Sequence, residues 1–101
     1  MKKASIQQLI DLTRQVLEKI GDNSDMNWTS YPDAVALRYE LEKILFQLEA
    51  GDLNALEELQ VHFLPTGDFQ EHALSNGWAD EYMVLAEKFD GIYTSIKNEQ
   101  K

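Results

Sequence analysis

Between Ile6 and Ile20 the apolar side chains fall three or four residues apart, at Ile6, Leu9, Ile10, Val16, Leu17 and Ile20, with Thr13 in the same register. That spacing places them on one face of an α-helix. No stretch of the 101-residue chain alternates apolar and polar residues with period two over the length of a strand. The chain can therefore hide its apolar residues only by packing helix on helix. The expectation is all-α: a compact single domain over residues 1–101, with four longer helices plus one short one, near 5–20, 31–50, 53–64, 69–76 and 79–97.

Local signals set these limits. Ser5 reads as an N-cap and forms a capping box with Gln8. Gly21 supplies a left-handed residue to stop the first helix. A polar loop, Asp22–Tyr31, carries Trp28, after which Ser30, Pro32 and Asp33 open the second helix. That helix has two apolar stripes. One is Ala34, Leu37, Leu41, Ile44, Leu45 and Leu48; the other is Val35, Tyr39 and Phe46. A helix apolar on two sides is expected to sit centrally, between neighbours.

Gly51 ends the second helix and Asp52 caps the third, whose Leu53, Leu56, Leu59 and Phe63 face inward until Pro65 stops it. Thr66-Gly67-Asp68 is a turn, and Asp68 with Glu71 forms a second capping box opening the short helix of Phe69, Ala73 and Leu74, which Asn76-Gly77 closes. Trp78, Tyr82, Leu85, Phe89, Ile92 and Ile96 are the stripe of the last helix. Gly91 costs that helix about 1 kcal/mol relative to alanine, so fraying after Tyr93 is expected.

The absence of cysteine excludes disulfide scaffolds, thiolate metal sites and cysteine nucleophiles. Lys2 and Lys3 are followed by Gln7, Gln8, Asp11, Thr13 and Arg14, which interrupt any signal-peptide core. Apolar runs such as Ala34–Leu37 are far shorter than the roughly 20 residues a bilayer span needs. The expected location is cytoplasmic, with no membrane association.

Charge is distributed unevenly. Residues 49–90 hold ten acids and a single base, Lys88, for −9, whereas residues 1–48 total −1 and residues 91–101 total +1. A stretch of this kind repels nucleic acid and attracts a basic partner. The nine bases form no stripe, which disfavours nucleic-acid binding further.

Chemistry-bearing groups are few. His62 follows Glu58 by four residues and His72 follows Asp68 by four, so each pair shares a helix face. Converging, they would make a two-His, two-carboxylate metal site. Against that, the spacing matches no metal motif such as H-E-x-x-H, and His62 in a last helical turn is favoured simply as a cation near the dipole's negative end. The segment Asp22–Asn27 faintly resembles a calcium loop, but no register supplies the glycine and glutamate such a loop requires. There is no phosphate-cradling glycine loop and no G-x-S-x-G elbow. Glu57-Glu58 and Asp80-Glu81 are adjacent pairs whose side chains diverge by about 100° on a helix, as on a solvated face. Trp78 either staples the fourth helix to the fifth or stands out as an anchor ringed by Asp80 and Glu81. Trp28, beside Tyr31, is open to both readings.

These features point to a small acidic protein-binding module, an inhibitor or immunity-type protein neutralising a basic partner through Glu57, Glu58, Asp68, Glu71, Trp78, Asp80 and Glu81. In size, charge and helicity the chain is similar to the small immunity proteins that act against nuclease bacteriocins. Their paired-tyrosine motif is unmatched by Ser30-Tyr31-Pro32, so no family is claimed. The alternative is a self-associating structural or regulatory domain, a homodimer burying an extra apolar face of the second or fifth helix. A metal-dependent enzyme using Glu58/His62 and Asp68/His72 ranks third. The expectation is a protein that is not an enzyme, with no cofactor and no tightly bound metal.

Overall fold

The computed structural model describes residues 3–21, 23–27, 29–52, 54–64 and 67–99. The sequence readings placed on Trp28, Leu53, Pro65 and Thr66 lie outside the described residues. Five helices follow one another: α1 Lys3–Lys19, α2 Ala34–Glu49, α3 Asn54–His62, α4 Asp68–Asn76 and α5 Ala79–Glu99. No strand occurs among the described residues, and the fold is an all-α bundle. α1 packs between α2 and α5, α3 packs on α2, and α4 packs on α5.

The first stripe of α2 is buried as its spacing predicts, from Ala34 to Leu48, against Leu9, Leu12 and Val16 of the core and Leu56 and Leu59 of α3. Thr13 joins the core by donating its hydroxyl to the Leu9 carbonyl at 2.7 Å, which satisfies it one turn back. At the other end of the bundle the core is aromatic. Phe63 stacks on Phe89 at 4.6 Å between centroids and meets Phe69 edge-on at 4.9 Å.

The second stripe of α2 is a correction. Val35, Tyr39 and Phe46 are 65%, 71% and 74% exposed. α2 is therefore buried along its Leu41 side and open along its Tyr39 side. Periodicity reports that a face is apolar but not what covers it, and none of the five helices among the described residues covers this one.

Several boundaries also differ. α1 begins at Lys3, so Ser5 lies inside the helix and is buried instead of capping it; Lys3 and Ala4 are good helix formers and extend it. Gly21 does not adopt a left-handed conformation; among the described glycines only Gly51 and Gly77 have positive φ. α2 starts at Ala34, three residues after the expected start, because Asp33 is its N-cap and accepts from the Ala36 amide at 2.9 Å. Its end is the paired motif that Gly51 permits: the Asp52 amide donates to the Gln47 carbonyl and the Gly51 amide to the Leu48 carbonyl. The Asp52 carboxylate in turn accepts from the Asn54 amide at 2.9 Å. α5 does not fray after Tyr93 but continues to Glu99, since Ile96 is fully buried and Tyr93 and Lys97 are both tied to Glu57 of α3.

Gly67 lies close against the end of α3. A Cβ at Gly67 would stand 2.8 Å from the Leu64 carbonyl oxygen and 2.9 Å from that of His62. The chain passes this close to the end of α3 because residue 67 has no side chain.

Candidate functional site

α4 is pinned at both ends by the loop that joins α1 to α2. At its first residue, Asp68 Oδ1 accepts from the Ser30 amide at 2.7 Å and from the Ser30 hydroxyl at 2.8 Å. At its last residue, the Asn76 side chain accepts from the Asp25 amide at 2.8 Å and donates to the carbonyls of Asp25 and His72. The capping-box reading of Asp68 is thus corrected. The N-cap of α4 is Gly67, which has no side chain to offer, and the Asp68 carboxylate is spent on the loop. Tertiary donors 38 residues away compete better for it than the first-turn amides of its own helix.

The histidines sit beneath this clamp. His62 is buried between the Tyr31 ring at 6.0 Å and Phe69, on which it stacks at 5.0 Å. Its Nδ1 lies 3.5 Å from Asp68 Oδ2, beyond a well-formed hydrogen bond. His72 is fully buried, and its Nδ1 accepts from the Trp78 indole at 2.9 Å. The two sequence-paired couples therefore do not converge. Asp68 turns to His62 and Ser30 instead of His72, and His72 turns to Trp78. Glu58 is half-buried, with Oε2 buried and without a hydrogen-bond partner. Among the described residues no group of three or more histidines and carboxylates is placed to hold a metal ion.

Burial of the Tyr31 phenol, reinforced by Glu40, Asp68 and Glu58, pushes its pKa up to about 12. Desolvation pushes the His72 imidazole below its ordinary value, with Asp25 opposing. Both groups are held neutral, which suits a structural seam.

The acidic residues named from the sequence divide into two sets. Glu57 is exposed but committed: it pairs with Lys97 and accepts from the Tyr93 hydroxyl at 3.0 Å, and Lys97 holds its carboxyl below the usual range. Glu81 pairs with Lys19 at 2.6 Å. Glu71 is half-buried and Asp80 is exposed. Trp78 is only 5% exposed and joins α4 to α5, so the anchor ringed by Asp80 and Glu81 does not exist on the surface. Its large ring is buried at that junction, and its N–H donates inward to His72.

What sequence reasoning missed lies beside it. A groove of about 260 Å³ opens between the end of α3, the start of α4 and the middle of α5. Phe63, Tyr82, Ala86 and Phe89 form its floor, Leu64 and Met83 stand exposed at its walls, and Gln60, Gln70 and Asp90 rim it. On the same helix, Asp80, Val84, Glu87 and Asp90 are exposed around Met83. The signal was present in the sequence: Met83 and Val84 fall off the buried stripe of the last helix, so they had to face outward or meet something else.

No protein-family model matches the chain, and no curated protein or solved structure matches it either. Among the described residues no helix is long and apolar enough to cross a membrane.

Proposed function

We propose that this chain is a small protein-binding module that engages a basic protein through α5 and the adjoining end of α3. The observation that carries the reading is the groove at Leu64 and Met83, an apolar recess on a helix whose exposed positions include Asp80, Glu87 and Asp90. An apolar recess with a polar rim is where the dominant contacts of a protein interface concentrate. Exposed charges of one sign around it raise the rate at which an oppositely charged partner arrives. The partner would offer an apolar side chain flanked by lysine or arginine. An inhibitor or immunity-type role is one form of such binding.

The reading is one of binding without catalysis. Both imidazoles are buried, His62 between the Tyr31 and Phe69 rings and His72 against the Trp78 ring, so neither meets solvent where a substrate would.

The test is to identify a retained basic protein by affinity capture and then measure its association kinetics. Joint reversal of Asp80, Glu87 and Asp90 to lysine is expected to slow association and flatten its salt dependence. Met83→Ala is expected to speed dissociation. A partner whose on-rate ignores both the reversals and ionic strength would overturn the reading.

A further inference from the structure

The exposed stripe of α2 is a separate feature, and a second copy of this chain is the occupant it fits. Val35, Tyr39, Glu42 and Phe46 are spaced by four, three and four residues, which keeps all four within one narrow strip of the helix surface. All four are exposed, and the three apolar ones are among the most exposed large apolar side chains in the fold. We infer that two copies associate through this strip, pairing α2 with α2 antiparallel about a two-fold axis that passes between Tyr39 and Glu42.

Charge selects this partner and this arrangement. The chain carries −9, so two copies repel each other over most of their surfaces. The α2 strip differs: around it Arg14, Arg38 and Lys43 stand against Glu40, Glu42 and Glu49, with Lys43 reaching Glu40 at 3.6 Å and Arg14 pairing with Glu49 at 3.0 Å, and the six charges cancel. Two-fold antiparallel pairing sets Val35 against Phe46 of the second copy. It also brings Arg38 beside Glu42 of the second copy, and Lys43 beside Tyr39 of the second copy, each contact occurring twice. A strip with this order of residues is complementary to itself, which is what a two-fold interface demands.

The area is sufficient for a reversible dimer. A covered aromatic side chain buries roughly 150–250 Å², so the two rings from each copy account for on the order of 600 Å² at their observed exposures. Val35 and the aliphatic stems of Arg38 and Lys43 carry the total toward the roughly 1,200 Å² at the lower end of stable interfaces.

Sedimentation equilibrium over a wide concentration range tests this. The wild-type chain is expected to show a monomer–dimer equilibrium that strengthens with added salt, as the net like charge is screened. Phe46→Glu is expected to weaken it by at least about tenfold, leaving the helical circular dichroism and, at concentrations where both chains are monomeric, the unfolding midpoint unchanged because the side chain is exposed. Arg38→Glu and Glu42→Arg should each weaken it, and the double variant should recover most of the loss, which a non-specific apolar contact would not do. A wild-type chain that stays monomeric up to about millimolar concentration, or a dimer indifferent to Phe46→Glu, overturns the inference.

Discussion

Trp78 Nε1 donates to His72 Nδ1 at 2.9 Å inside the packing of α4 on α5, and that bond fixes the tautomer of the imidazole. With Nδ1 accepting, the proton of the neutral ring sits on Nε2, which is buried and has no partner. A second proton could enter only at Nδ1, where it would face the indole N–H and break the bond.

Acid is therefore expected to loosen this junction first. The folded-state pKa of His72 is depressed below its ordinary 6.5, chiefly by desolvation. The unfolded chain thus binds the proton more readily. The contribution is fully present above the ordinary value of 6.5 and is lost as pH falls below it toward the lower folded value. Urea midpoints measured between pH 8 and pH 5 should fall across that window, and His72→Gln should flatten the slope. A wild-type midpoint that stays constant or rises as pH falls from 6.5 to 5 would count against it.

The two faces of α2 should respond oppositely to truncation. Leu41 is fully buried, and Leu41→Ala is expected to cost about 2–5 kcal/mol. Tyr39→Ala and Phe46→Ala remove exposed side chains and should change the stability of the monomer by under about 0.5 kcal/mol. Chemical denaturation at low protein concentration separates the two, and equal losses on both faces would show that Tyr39 and Phe46 are packed.

Two glycines offer a matched contrast. Gly67→Ala drives a methyl group into the carbonyl oxygens of Leu64 and His62 and should destabilise by about 1–3 kcal/mol, as overpacking does. At Gly91, within α5, a Cβ meets nothing within 4 Å, so Gly91→Ala should stabilise by roughly 0.5–1 kcal/mol through helix propensity alone. Thermal unfolding should shift down for the first and up for the second.

The pins on α4 should be energetically coupled to the loop. Asp68→Ala removes the acceptor for both Ser30 donors, whereas Ser30→Ala removes only one of them. Asp68→Ala is thus expected to be the costlier change, by about 1–3 kcal/mol, since bonds to a charged acceptor lie in that range. A double-mutant cycle between the two positions should return a coupling of about 0.5 kcal/mol or more. Simple additivity would mean that the loop is held by other contacts.

Much of the fold was legible in the sequence because helix formation and burial are local questions. The three-and-four spacing of Leu9, Val16, Leu37, Leu41, Leu56, Tyr82 and Phe89 identified residues that are all buried. Asn76-Gly77 and Gly51 marked helix ends because a left-handed residue is needed there whatever the rest of the chain does. The candidate site was less legible. Residues 49–90 form one acidic stretch along the chain, yet Glu57, Asp68 and Glu81 are claimed by Lys97, Ser30 and Lys19 from distant elements. Their partners lie 40, 38 and 62 residues away, and no local pattern encodes such pairings.

Trp78 and Phe46 show the same division from opposite sides. Each is a large aromatic on an apolar stripe, and nothing local separates them. One is closed over by α4 and the other faces solvent. The sequence alone determined that the chain folds into helices and roughly where each lies, which faces are apolar and how much charge the chain carries, because each depends on residues a few positions apart. Only the tertiary structure decided which apolar faces are covered, which acids remain free and where Leu64 and Met83 meet to open a groove, because each depends on how helices distant in the chain are brought together.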